Sequence, residues 1–336
     1  MSNENNSLYR RIIADAFRVT LGHVHLWLFG AVVAATGFGG VFEVFLRDFG
    51  AMTSRVAGTA AQPNIVASMP ALAALRAAIF GSGHPWLALL LFSVALAALA
   101  AIALYVGGWA IAALISGIRK IIRGGDVHFR DGLETGRKRA VQTGLVLLAQ
   151  KACLAGLLLL GAANVAAAMP YGTGPLVIPL YIGSYALIGA LVFAVIVAMT
   201  FAANYAVIQN LEARRAIAEG WGLLQRNWLV AIEMIVVLFA LDIVASALSI
   251  VLLVAFAAPG FMLVSLAALA GIRGIIWALY AATAAAVLVS VILLGSFYAT
   301  LRASAWTLLW TELAEKRRTP RLHHYVGLLK KRVIGG

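Results

Sequence analysis

Six long apolar runs constrain the fold of this 336-residue chain more than any other feature. They lie at residues 24–46, 85–116, 141–168, 176–208, 229–258 and 275–310. A helix needs about 20 apolar residues to cross about 30 Å of hydrocarbon, so each run is long enough to span a membrane. We therefore predict an all-α integral membrane protein that forms a six-span helical bundle.

The composition excludes a soluble domain. Hydrophobic residues make up 63% of the chain and charged residues 12%, whereas a soluble fold needs more polar side chains to meet water. The single cysteine, Cys153, lies inside an apolar run, which excludes a disulfide framework. Because 23 mostly polar residues precede the first run, we expect that run to be a retained span and not a cleaved signal peptide.

The basic residues are distributed unevenly between the connections. Of the 26 Lys and Arg residues, twenty lie in the N-terminal segment, in segments 117–140 and 209–228, and in the C-terminal tail. Four lie in the alternate connections, and two lie within the runs. Because Lys and Arg collect on the cytoplasmic side of membrane proteins, we predict that both termini are cytoplasmic. Tryptophans near the ends of runs support these boundaries, namely Trp27, Trp86, Trp228 and Trp277.

A polar, Arg-containing stretch with apolar residues at helical spacing precedes the first, third and fifth runs. These stretches are residues 8–20, 128–138 and 212–224, and each suits a helix lying in the membrane interface. The pattern predicts three repeated units, each an interfacial helix followed by a helical hairpin. The corresponding domains are a cytoplasmic interfacial helix at 1–23, a six-span membrane domain at 24–310 and a basic cytoplasmic tail at 311–336.

Further surface segments are expected from their patterns. Residues 64–81 predict a short amphipathic helix on the outer surface, and residues 260–270 predict an interfacial or re-entrant segment, since they are too short to span. The tail is expected to rest on anionic headgroups of the cytoplasmic leaflet. The formal charge of +13 therefore indicates the lipid bilayer as partner, and not nucleic acid. Protein partners stay open.

No motif for nucleotide binding, zinc-dependent proteolysis or a nucleophile elbow occurs in the sequence. His23 and His25 lie close together, as do His323 and His324, and interfacial or solvated histidines are the simpler interpretation of both pairs. Gly107 and Gly108 indicate close helix packing. We accordingly predict no catalytic residue, no metal site and no cofactor.

Ionisable residues within the runs are the candidate functional residues, because a charge in hydrocarbon is costly unless it is paired or hydrated. Glu43 and Glu233 lie near the ends of their spans, so we expect them to reach headgroups or water. Arg302 lies in the cytoplasmic third of a long helix, where its side chain can snorkel. Lys151 and Asp242 fall near mid-depth and form the candidate intramembrane polar pair. A structural ion pair between two helices is the first interpretation, and a coupling site for protons or ions is the alternative.

Three segments carry a resemblance to a known family. They are SLYRRIIADAFRVTLGHVHLWLFG, AIAEGWGLLQRNWLVAI and SFYATLRASAWTLLW. The chain resembles bacterial multi-pass membrane proteins related to the membrane domain of glycerophosphodiester phosphodiesterases. In that family the phosphodiesterase chemistry belongs to a separate soluble barrel with metal-binding acidic residues, for which this chain has no room. The resemblance therefore implies a membrane-embedded helical domain in the bacterial inner membrane, and transfers no functional residues.

Three functional hypotheses follow. The first is a non-enzymatic inner-membrane protein that scaffolds or handles lipid, with a role in envelope or lipid homeostasis. The second is a small secondary transporter or channel-like protein, which is favoured if Lys151, Asp242 and Asn204 line one aqueous cavity. The third is a membrane enzyme, which would need several polar groups meeting at one depth. Whether the bundle encloses a polar, lipid-sized cavity or packs solid is the observation that separates them best.

Overall fold

A computed structural model describes residues 8–36, 85–125, 128–168, 177–270 and 273–315. Nearly all of these residues are helical and none of them forms a strand. The helices in these ranges are α1 (Leu8–Gly22), α2 (His25–Ala35), α3 (Pro85–Ile122), α4 (Phe129–Ala168), α5 (Val177–Ile208), α6 (Ala213–Arg226), α7 (Trp228–Leu269) and α8 (Arg273–Ala314). The predicted all-α architecture is confirmed.

Five of these helices are long and apolar enough to cross a membrane, namely α3, α4, α5, α7 and α8. Helices α1 and α2 meet at an angle of 105° and would make a sixth span if they count as one broken segment. The chain is thus a multi-pass helical membrane protein by the length and composition of its helices. The remainder of the first predicted span, the predicted amphipathic helix at 64–81 and tail residues 316–336 lie outside the described residues.

The prediction of a separate interfacial helix at 128–138, the second of the three, is wrong. Residues 129–138 are the first turns of α4, which continues without a break to Ala168. Asp131 stands in the first turn, and Lys138 forms an ion pair with Glu134 at 2.7 Å across one turn. These contacts favour helix through the polar segment, and no Gly or Pro breaker follows Lys138 before the apolar run begins. Threefold repetition stays a prediction.

The predicted interfacial or re-entrant segment at 260–270 is also wrong. Helix α7 runs through Pro259 and ends at Leu269, so these residues extend the fifth span. Proline is tolerated inside membrane helices where neighbouring elements and local adjustments satisfy the freed backbone groups. Packing also continues past the proline, because a Cβ at Gly260 would lie 2.2 Å from the Thr283 methyl carbon on α8.

Helix α8 is the central helix of the bundle. It packs against α7, α2, α1, α3 and α5, while α3 pairs with α4 and α5 pairs with α6. Its residues from Tyr298 to Leu313 are largely buried, as are residues 197–207 of α5. The buried core therefore lies at one end of the bundle, where α3, α5 and α8 end and α4 and α7 begin. Towards the other end, the helices expose long rows of apolar side chains.

Small residues bring the helices of this core into close contact. A Cβ at Gly108 of α3 would lie 2.6 Å from the Ala140 carbonyl oxygen of α4, so the predicted packing role of Gly108 is confirmed. A Cβ at Gly30 of α2 would lie 2.3 Å from the Thr300 hydroxyl oxygen of α8, and a Cβ at Gly220 of α6 would lie 2.5 Å from the Ala198 carbonyl oxygen of α5. Gly124, with φ +76°, lies in the turn that ends α3, where the left-handed conformation favours glycine.

Candidate functional site

A cavity of about 210 Å³ lies within the core end of the bundle. Five helices line it: Val33 from α2; Ile111, Leu114 and Ile115 from α3; Leu147, Gln150, Lys151 and Leu154 from α4; Ile196, Met199, Thr200, Ala203 and Asn204 from α5; and Ala299, Arg302, Ala303, Trp306 and Thr307 from α8. Most of these residues are apolar, and a few polar groups converge among them. This composition is typical of a binding site for an organic ligand.

Two aromatic contacts fix the walls of the cavity between α5 and α8. Phe201 and Trp306 meet edge to face with their ring centroids 5.7 Å apart, and Tyr205 and Trp310 meet likewise at 5.1 Å. Such pairs add stabilisation beyond their buried area and set the register of the two helices. Because Trp306 itself lines the cavity, this register also determines which residues of α5 and α8 face the space.

Lys151 and Arg302 bring two positive charges to the lining, and no described lining residue is acidic. Both side chains belong to half-buried residues. The sequence pattern identifies Lys151 as an intramembrane residue, and the structure places it in this cavity. The sequence predicts that Arg302 snorkels from the cytoplasmic third of its helix, and the structure shows that it lines the same cavity. A hydropathy profile predicts the depth of a residue in the membrane but not the side of the helix on which it lies. The sequence therefore does not predict that Lys151 and Arg302 line the same cavity.

The polar lining groups include buried atoms that have no partner within the described ranges. Asn204 is 1% exposed, and its amide nitrogen donates a hydrogen bond to the Thr200 carbonyl oxygen at 2.9 Å. Its amide oxygen and the Thr307 hydroxyl are buried without a hydrogen-bond partner among the described residues. An unsatisfied buried polar atom costs free energy, so both atoms identify places where water or a ligand group would be stabilised.

Asp242 is not among the described residues that line this cavity. Its carboxylate accepts a hydrogen bond from the Tyr298 hydroxyl of α8, one turn before Arg302. Lys151 lies on α4, which packs against α3, α5 and α6, whereas α7 packs mainly against α8. The predicted pairing of Lys151 with Asp242 stays a prediction. Of the three residues named for a transport cavity, Lys151 and Asn204 share one space.

The other ionisable candidates lie apart from the cavity. The Tyr9 hydroxyl of α1 hydrogen-bonds to Glu233 near the start of α7. His23 and His25 contact each other with ring centroids 5.7 Å apart. Within the ranges that the structure describes, no three His, Cys, Asp or Glu side chains form a group suited to a metal ion. Glu43, His323 and His324 fall outside those ranges.

A second basic cavity, of about 280 Å³, lies beside the end of α3. It is lined by Ser116, Arg119, Lys120, Arg123, Gly125, Val207 and Ile208. All three of its basic residues have acidic partners in the fold. Arg119 pairs with Glu315, Lys120 pairs with Asp131 at 2.7 Å, and Arg123 lies 4.0 Å from Glu315. These ion pairs compensate part of the positive charge of this second cavity within the protein.

No family model, curated protein or solved structure matches this chain. The resemblance to the membrane domain of glycerophosphodiester phosphodiesterases therefore stays a prediction. The cavity at the core end, with its lining of apolar residues and a few polar groups, is therefore the feature that bears on function.

Proposed function

We propose that this chain is a non-enzymatic protein of the bacterial inner membrane that binds lipid within its helical bundle and acts in envelope or lipid homeostasis. The observation that carries the proposal is the cavity between α2, α3, α4, α5 and α8, with its apolar lining and a few convergent polar groups. An amphiphile satisfies both kinds of lining at once, because its polar end meets Lys151, Arg302 and Asn204 while its apolar part meets Leu and Ile side chains.

The chemistry of the lining supports binding over catalysis. General acid and base catalysis relies mostly on imidazole and carboxylate groups, and none occurs among the described lining residues. The Thr307 hydroxyl therefore has no imidazole or carboxylate beside it among the described lining residues that could act as its base. Transport coupled to Lys151 and Asp242 is the alternative function, and it would require Asp242 to reach the same space.

The proposed orientation places the core end of the bundle at the cytoplasmic face. Twenty of the 26 basic residues belong to segments on that side, against four on the other. The positive-inside distribution supports this placement, and so does the attraction of basic residues to anionic headgroups of the cytoplasmic leaflet. In this orientation the cavity lies on the side of the inner leaflet, where a lipid headgroup resides.

Lipid retention tests the proposal. The full chain is purified in detergent, and bound lipid is identified by native mass spectrometry after exhaustive detergent exchange. Ala303→Leu on α8 fills the cavity, and Ala152→Leu on α4 adds the same volume on an exposed face. We expect lipid on the natural chain and on Ala152→Leu, and loss of lipid from Ala303→Leu. Absence of retained lipid from the natural chain, or equal retention in both variants, would contradict the proposal.

A further inference from the structure

We propose that ordered water joins the two cavities at the core end of the bundle into one polar passage. The passage runs along α3, α5 and α8, from the second basic cavity to the cavity of about 210 Å³, called here the first cavity. It gives the first cavity an aqueous entrance beside the end of α3. The passage goes beyond the proposed function, because it holds water whether or not the chain binds lipid.

The two cavities lie one helical turn apart on the same faces of two helices that pack together, α3 and α5. On α3, Ile115 lines the first cavity and Arg119, four residues further, lines the second. On α5, Asn204 lines the first cavity and Ile208, again four residues further, lines the second. Residues four apart lie on one face of a helix, and one turn rises about 5.4 Å. The cavities are therefore consecutive spaces between α3 and α5.

Helix α8 carries a row of buried hydroxyl side chains along the same path. The row follows the spacing of one helix face and consists of Thr300, Ser304, Thr307 and Thr311. Thr307 lines the first cavity. One turn further, the Thr311 hydroxyl accepts a hydrogen bond at 3.5 Å from the guanidinium of Arg119, which lines the second cavity. The row therefore reaches from one cavity to the other.

Buried polar atoms along this path lack hydrogen-bond partners among the described residues. They are the amide oxygen of Asn204, the hydroxyls of Ser304 and Thr307, the indole nitrogen of Trp310 and Nε of Arg119. Trp310 and Arg119 lie side by side, with the guanidinium carbon 6.0 Å from the centre of the Trp310 ring. A buried polar atom without a partner costs free energy, so a ligand that bonds to these atoms is stabilised.

Water is the ligand that suits this set of atoms. Nε of Arg119 and the indole nitrogen of Trp310 can only donate, the amide oxygen of Asn204 can only accept, and a hydroxyl does both. A water molecule does both as well, and a buried water typically makes about three hydrogen bonds. The two cavities, of about 210 Å³ and about 280 Å³, far exceed the roughly 10–15 Å³ that one water molecule requires. Water in both cavities can thus continue along the polar atoms between them.

Hydroxyl-radical footprinting of the full natural chain in lipid nanodiscs tests for this water. X-ray radiolysis of a bound water molecule oxidises the side chains next to it, whereas side chains in a dry core stay unmodified. We expect oxidation of Trp310 and of Met199, which lines the first cavity. Met234 is the control, because it is fully buried and lines neither cavity. Absence of oxidation at Trp310, or equal oxidation of Met234, would overturn the passage.

Two serines of α3 test the entrance. Ser116 lines the second cavity, Ser93 is exposed, and each hydroxyl donates to a carbonyl oxygen of its own helix. The chain is mixed briefly with water that carries heavy oxygen and is then irradiated. Heavy oxygen should enter Trp310 in the natural chain and in Ser93→Leu, and this label should be lost in Ser116→Leu, which fills the second cavity. Full labelling of Trp310 in Ser116→Leu would overturn the entrance through the second cavity.

Two threonines distinguish a hydrated hydroxyl from a dry one. Thr143 of α4 and Thr307 are both fully buried, and neither hydroxyl has a partner in the described ranges, but of the two only Thr307 lines one of these cavities. Thr143→Val should raise Tm in detergent, because it removes an unsatisfied polar group. Thr307→Val should lower Tm, because it removes a hydrogen bond to water and leaves that water short of a partner. An equal rise in Tm for both variants would overturn the water at Thr307.

Discussion

Arg119 at the end of α3 forms an ion pair with Glu315, the residue that follows α8. Arg119 is 7% exposed, and its guanidinium carbon lies 6.0 Å from the centre of the Trp310 ring, within range of a cation–π contact. The pair ties the ends of two helices together at the core end of the bundle. It lies next to the basic cavity lined by Lys120 and Arg123.

Removal of this ion pair should destabilise the bundle. Glu315→Gln leaves the buried guanidinium of Arg119 uncompensated, which costs about 3–5 kcal/mol for a fully buried pair. The Glu315 side chain is 38% exposed, so water screens the charge and we expect a loss of about 2 kcal/mol in the free energy of unfolding. Thermal unfolding in detergent measures it. Arg226→Gln is the control, because Arg226 is exposed and lies 4.0 Å from Glu219, and it should shift stability by less than about 0.5 kcal/mol.

The hydrogen bond from Tyr298 to Asp242 joins α8 to α7. Tyr298→Phe should cost about 1.5–3 kcal/mol, the range for a hydrogen bond to a charged group. In an Asp242→Asn background the same substitution should cost less, since the acceptor is then neutral. A double-mutant cycle measures this coupling, and a coupling energy of zero would show that the contact does not contribute to stability.

A second double-mutant cycle tests the predicted pairing of Lys151 with Asp242. If the two side chains form a pair, Lys151→Met or Asp242→Leu alone should destabilise the protein more than both substitutions together, because each single change leaves an uncompensated charge. Additive losses would contradict a pair between Lys151 and Asp242 and would leave Tyr298 as the partner of Asp242.

The helices that span the membrane were predictable because they depend on local composition. Predicted runs 85–116 and 176–208 coincide with α3 and α5 to within a few residues, apart from the extension of α3 to Ile122. That extension matters, since Arg119 was counted as a charge in a connection. Its partner Glu315 lies 196 residues further along the chain, and no local pattern predicts such a contact.

The candidate site was predictable only in part. Lys151 is conspicuous because it interrupts an apolar run, and Asn204 is conspicuous for the same reason. Arg302 lies nearer to the end of its run, where snorkelling is the simpler expectation. Its position in the cavity depends on how α8 is rotated against α5, which the contacts of Phe201 with Trp306 and Tyr205 with Trp310 determine. Side-chain packing between segments that are distant in sequence sets that rotation, so the composition of either segment does not predict it.

The orientation of the bundle can be tested with single cysteines. Cys153→Ala removes the one native thiol, and new cysteines are then placed in the connections. Positions 60, 172 and 271 should react with an impermeant maleimide on intact cells treated to open the outer membrane. Positions 125, 218 and 330 should react only after the inner membrane is permeabilised, since basic connections stay in the cytoplasm. Two or more positions on the wrong side would overturn the proposed orientation.

Substitution of glycine by alanine should have opposite effects on stability at two positions of α6. A Cβ at Gly220 would lie 2.5 Å from the Ala198 carbonyl oxygen and 2.7 Å from the Ala202 nitrogen of α5, so Gly220→Ala must separate the helices and should cost about 1–3 kcal/mol. A Cβ at Gly222 would meet only the end of the flexible Arg226 side chain, at 3.4 Å. Gly222→Ala should therefore stabilise the protein by about 0.5–1 kcal/mol, the gain in helix propensity. Thermal unfolding in detergent compares the two variants. Equal shifts in Tm would show that α6 does not pack against α5 through Gly220.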